Sequence, residues 1–174
     1  MEVLMRYAAV ALGGALGAML RYYLNGSPLA RAFAPFPTAT LVINVTGSFL
    51  LGLFLTLATE RVEVSPHLRI AFAAGFIGAY TTFSTFMYET AQLTEAGDYA
   101  RAFANVVLSC IIGFACVWAG ATVARRLVPA PAIHMSEDAV RGAELGEGLV
   151  LLEDVEIIKY AHPDGSSDEE AVSD

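Results

Sequence analysis

The hexapeptide Thr81-Thr82-Phe83-Ser84-Thr85-Phe86 sets four hydroxyls and two aromatic rings inside an apolar stretch, just after Gly75 and Gly78. Glycine and β-branched threonine lower helix propensity, so the run predicts a break near Gly78–Thr82. Unwound backbone survives at bilayer depth only where protein or an aqueous cavity satisfies it. Freed carbonyls there can hold a cation, and freed amides and hydroxyls can face an anion path. The alternative is an unbroken helix whose hydroxyls bond back to carbonyls one turn earlier. Phe83 and Phe86 lie three apart, on one helix face. Such a pair packs in a core, or turns its partly positive ring edges toward a small anion.

Other polar residues fall in apolar surroundings. Asn44 sits in LVINVTGSFLLG, where an unpaired amide is costly. Its donors can replace water around an anion, or fix packing through an interhelical hydrogen bond. Gly47 and Ser48 share that region and permit close helix approach, as do Gly13, Gly14 and Gly17 earlier in the chain. Asn105, Ser109 and Gly113 recur every four residues and draw a weak polar stripe, a pore lining or interhelical glue. Arg21 ends an apolar run, where snorkelling to the interface is the default and a structural partner or a pore mouth are alternatives. Glu89 is the one acidic side chain well inside the apolar part. A bare carboxylate repels anions, so it sits in a wet vestibule or carries a proton.

Four segments position these residues, each near the roughly 20 residues that cross a bilayer: Leu4–Leu24, Thr38–Thr59, Leu68–Leu93 and Tyr99–Ala124. The first has no clear cleavage motif and reads as a retained helix rather than a signal peptide. Short connections hold most of the charges, which predicts a tight four-helix bundle. Composition agrees: 56% of the 174 residues are hydrophobic and mean hydropathy is +0.56. The formal charge of −8 is unevenly spread. Up to Pro129, eight arginines outnumber six acidic residues; from Ala130, twelve acidic residues face only Arg141 and Lys159. Residues 1–129 thus read as a membrane domain, and 130–174 as an acidic, mostly disordered tail in which Leu149–Tyr160 is apolar enough for one short strand or helix. Arg6, Arg61, Arg69, Arg125 and Arg126 fall on one side of the membrane, against Arg31 and Arg101 on the other, a modest bias toward an inside amino terminus. No basic surface suits nucleic acid. Cys110 and Cys116 point in different directions on a helix and read as apolar packing. No nucleophile, metal set or phosphate loop points to an enzyme.

In combination these stretches resemble the Fluc fluoride channels, also called CrcB. The resemblance is carried by GALGAMLRYY (Gly14–Tyr23), TATLVINVTGSFLLG (Thr38–Gly52) and GFIGAYTTFSTFMYE (Gly75–Glu89), and more weakly by NVVLSCIIG (Asn105–Gly113). It covers roughly residues 5–125 and not the tail. It implies an all-α membrane protein of four transmembrane helices with a broken third helix, assembled as an antiparallel, dual-topology dimer with two fluoride pores. By the same resemblance, Gly78 and Thr81 would supply backbone carbonyls to a central, structural sodium ion. Phe83 and Phe86 would be pore phenylalanines, Asn44 the pore amide, Ser84, Thr85 and Ser109 a polar track, and Glu89 a vestibule residue. The chain departs from the family pattern at Ala39, Ile77, Ala79 and Gly113, the last offering no side-chain donor to the outer track.

The implied function is passive, selective export of cytoplasmic fluoride across the cell membrane, which relieves fluoride toxicity. The expected partners are fluoride, sodium, the lipid bilayer and a second subunit, identical or related. Two rivals stand beside it. A proton-coupled exporter of cationic compounds usually needs a carboxylate in the first helix, which here has none beyond Glu2. A non-transporting membrane scaffold would use the acidic tail as its docking part.

Overall fold

The structure is a computed structural model that describes residues 1–129 and two short strands, 132–135 and 155–158. Residues Met1–Val128 form one compact unit and Pro129–Asp174 another. In the first unit, four helical spans are long and apolar enough to cross a membrane: Glu2–Gly26, Thr38–Arg61, Pro66–Glu95 and Tyr99–Leu127. Each apolar segment read from the sequence runs on by up to three residues, and charged side chains find partners at several of the ends. Arg6 Nη2 reaches Glu2 Oε1 at 2.6 Å one turn away. Arg125 forks onto Glu60 at 2.9 and 2.8 Å, joining the ends of the fourth and second spans.

The connections are chemically cued. Ser65 caps the third span by accepting the Leu68 N–H at 3.3 Å, with Pro66 in the first turn. At the other end of that span Gly97 takes φ +78, a conformation that favours glycine, and the chain reverses within three residues. Asp98 then opens the fourth span by accepting the Arg101 N–H at 3.3 Å. The Arg101 guanidinium also pairs with Asp98, which holds that carboxyl below its ordinary range.

Small residues set the packing. A Cβ on Gly13 would overlap the Ala71 carbonyl oxygen, and one on Gly17 the Phe76 carbonyl oxygen, so the first span lies backbone to backbone against the start of the third. Gly52 and Gly120 do the same between the second and fourth spans, facing the Val117 and Phe49 carbonyls. Lipid gives helices no hydrophobic drive to associate, so close van der Waals approach of this kind must supply it.

The third span is not uniform. After one α-helical turn (Pro66–Arg69) it is π-helical over Ile70–Ile77, and a last turn runs Gly78–Tyr80. Thr81 (φ −78, ψ 156) and Thr82 (φ −148, ψ 117) have extended backbone, and helix resumes at Phe83–Glu95. A ladder of rings, Phe72, Phe76 and Tyr80, runs up the π-helical part with centroids 5.5 and 5.9 Å apart.

In the second unit, Ala132–Met135 pairs antiparallel with Val155–Ile158, with Ala132 opposite Ile158 and Met135 opposite Val155. The second strand falls in the apolar segment Leu149–Tyr160. The first, Ala132–Met135, lies in the part of the tail for which the sequence marks no element. The rest of the expectation for the tail lies outside the described residues.

Candidate functional site

In a continuous helix the Thr82 N–H would bond the Gly78 carbonyl, four residues back. The Thr81 N–H still bonds the Ile77 carbonyl at 3.0 Å. The Thr82 N–H leaves the ladder and donates to Asn44 Oδ1 at 2.8 Å, while Asn44 Nδ2 donates to the Thr82 carbonyl at 3.0 Å. One side-chain amide thus satisfies both backbone groups of the extended residue, as bilayer depth demands. The Thr85 N–H, which would bond the Thr81 carbonyl, instead donates to Thr82 Oγ1 at 3.2 Å. The carbonyls of Gly78 and Thr81 have both lost their usual donor. Between them, the Ala79 carbonyl accepts from Arg21 Nε at 2.9 Å. Arg21 is therefore not simply an interface snorkeller; it caps the helical turn that ends at Tyr80.

Asn44, Gly47, Ser48, Thr81, Thr82 and Phe83 line an open cleft of about 250 Å³. Asn44 retains one of its two Nδ2 hydrogens for a ligand. Thr82 Oγ1 also donates to Thr85 Oγ1 at 3.0 Å and lies 3.5 Å from Ser84 Oγ, so three hydroxyls of the hexapeptide form one local chain. Phe83 and Phe86 rings are tilted at 5.9 Å, but their surroundings differ: Phe83 is 75% exposed and Phe86 only 7%. Gly113 faces Ser48, whose Oγ lies 3.7 Å from where a Cβ would stand. The second span thereby offers a hydroxyl where the fourth lacks one.

A second polar layer lies two turns further along the third span. Thr40 Oγ1 donates to Glu89 Oε1 at 2.9 Å, and Glu89 Oε2 is buried without a partner. Asn105 Nδ2 donates to Thr90 Oγ1 at 2.9 Å. Ser109 Oγ is buried without a partner on the fourth span. Asn44, Thr81 and Phe83 thus meet in the cleft, with Ser84 and Thr85 reaching it through Thr82. Glu89 belongs to the second layer, and neither it nor Phe86 and Ser109 lines the cleft. Sequence reasoning missed Thr40 and Thr90. Both follow a helical rule: Thr40 stands one turn before Asn44, and Thr90 one turn after Phe86.

Residues 8–121 match the profile described as CrcB-like protein, Camphor Resistance (CrcB). Three similar proteins are each named fluoride-specific ion channel FluC. That of Solibacter usitatus is 45% identical over 122 residues, 70% of this chain and 100% of its own length. That of Acidobacterium capsulatum is 46% identical over 124 residues, covering 71% and 99% of the two chains. That of Geobacter metallireducens is 44% identical over 119 residues, covering 68% and 96%. The matched length takes in the second and third spans whole, most of the first and fourth, the Asn44–Thr82 clamp and the cleft, and with these the chain belongs to the CrcB family as a multi-pass membrane protein.

Proposed function

We propose that this protein is a fluoride-specific ion channel, not an enzyme, through which cytoplasmic fluoride leaves the cell passively. The observation that carries the reading is the extended Thr81–Thr82 backbone clamped by Asn44 beside a cleft. The names of the relatives point to fluoride as the ion. Fluoride is small and strongly hydrated, so a selective path must return its hydration energy at close range without trapping it. The free Asn44 N–H and the hydroxyls of Ser48, Thr85 and Ser109 are donors of the right size. The edges of Phe83 and Phe86 offer weaker, partly positive contacts in a dry stretch that larger halides enter poorly. Glu89 then belongs to a vestibule, where the ion still carries water.

The assembly we propose is an antiparallel dimer of two copies in opposite orientations, with the interruption of the third span acting as a functional broken helix. Support comes from Phe83, whose ring lines the cleft and is left 75% exposed, open to a second wall supplied by another subunit. A sodium ion fits the Gly78 and Thr81 carbonyls, since hard cations take oxygen ligands and both have lost their helical donors. Bound there, it would supply fixed positive charge and a tie between subunits. Liposomes holding the purified protein should release fluoride and retain chloride. Phe83→Ile should slow fluoride release by about ten-fold, roughly the 1.4 kcal/mol that an edge-on aromatic contact can contribute. Equal release of both halides, or a native rate in Phe83→Ile, would refute this reading.

A further inference from the structure

Asn105 is 1% exposed, yet only half of its amide is satisfied. Nδ2 donates to Thr90 Oγ1 at 2.9 Å, and Thr90 Oγ1 donates onward to the Phe86 carbonyl at 2.8 Å. The string links the fourth span to the turn of the third that carries Phe86. Asn105 Oδ1 has no partner, and neither has Ser109 Oγ one turn further on the same face. A residue kept only as interhelical glue would leave no buried acceptor orphaned, because each such group costs its full desolvation. A carbonyl-type oxygen repels a bare anion, so Oδ1 is not a ligand for the ion. What suits it is a hydrogen-bond donor small enough for a buried site, which is water. The Ser109 hydroxyl is placed to share that water.

We propose that Asn105 is a positioning residue of the ion path, holding Phe86 through Thr90 and seating a water beside Ser109. The proposal rests on the channel reading above. Phe86 is buried at 7% exposure, and the string reaches its backbone carbonyl, so it fixes the turn from which the ring is set in place.

The test uses the full chain in liposomes with four variants. Thr90→Val keeps the volume and deletes the hydroxyl; it should slow fluoride release by about ten-fold, the scale of one buried hydrogen bond. Thr90→Ser should restore release to near the native rate. Asn105→Leu should be at least as slow as Thr90→Val, and the double variant Asn105→Leu/Thr90→Val no slower than Asn105→Leu alone, because both break one string. Native release from Thr90→Val, or a double loss equal to the product of the single losses, would overturn the proposal. A second readout does not depend on the ion. In the detergent-solubilised full chain, one Asn105 side-chain amide proton should resist exchange, and Thr90→Val should abolish that protection. An unprotected amide in the native protein overturns the proposal even if every variant folds poorly. A protected amide in a native protein that passes no fluoride would instead overturn the channel reading and leave the contact standing.

Discussion

The two halves of the third span are held in place by opposite means. From Ile70 to Ile77 there is no polar side chain, and the backbone lies against the glycines of the first span with nothing between. From Thr82 onward the chain is tied by side-chain hydrogen bonds: Thr82 to Asn44, Glu89 to Thr40, Thr90 to Asn105. Backbone contact through small residues is rigid and leaves no group over. Hydrogen-bonded ties keep spare donors and acceptors at bilayer depth, as the second Asn44 N–H, Ser109 Oγ and Asn105 Oδ1 do. The apolar half anchors the span, and the polar half is the part with hydrogen-bonding groups left over.

The contrast can be broken from the apolar side first, where the effect should be largest. Gly17→Leu forces a side chain into the Phe76 backbone, which cannot retreat, and should cost about 3 kcal/mol or more. The expected outcome is loss of monodisperse protein on size-exclusion chromatography, with no folded material left to assay. Asn44→Leu attacks the polar half and leaves the Thr82 N–H and C=O without partners, at about 2–4 kcal/mol for the two groups. Enough protein should remain folded to assay, and its fluoride release should fall by about a hundred-fold, in line with the 2.7 kcal/mol that factor represents. A folded Asn44→Leu with native flux would erase the functional distinction between the halves.

The smallest effect lies outside both halves, at the turn into the fourth span. The Arg101 guanidinium and the Arg101 N–H hold the Asp98 carboxyl below its ordinary value. A carboxyl whose folded pKa is depressed stabilises the fold above its unfolded value of about 3.9 and loses that contribution as pH falls through the folded value. Asp98→Asn should therefore lower the melting temperature slightly at pH 7, and the gap to the native protein should close in acid as the carboxyl takes up its proton. A gap that persists in acid would mean that the carboxylate charge is not what caps this helix.

Much of the architecture was legible in the amino-acid order. Apolar runs marked the four spans, and the Gly78–Thr82 stretch stood out because glycine and threonine resist helix while aromatic residues flank them. Asn44 was legible too, since a lone amide in hydrocarbon needs a partner. Its partner was not: whether it met Thr82 or a helix neighbour depends on how the second span is rotated, which no local pattern records. The same holds for Thr40 with Glu89 and Asn105 with Thr90, pairs 49 and 15 residues apart. Arg21 was left with three alternatives for a related reason, and the structural partner among them is the one observed. Snorkelling is the default for an arginine near a helix end, and only the position of the Ala79 carbonyl diverts it. The π-helical turns at Leu57–Arg61 and Ile70–Ile77 left no sequence mark at all, because side chains of ordinary helical type fill them.

In the proposed channel, the clamped interruption in the third span carries a selective anion path. Fluoride-electrode and chloride-electrode traces, recorded in parallel from liposomes of native protein and of folded Asn44→Leu, address it most directly. The account predicts rapid fluoride release and flat chloride from the native protein, with both flat in the variant. Native liposomes that hold their fluoride, or a folded variant that still releases it, would contradict the account.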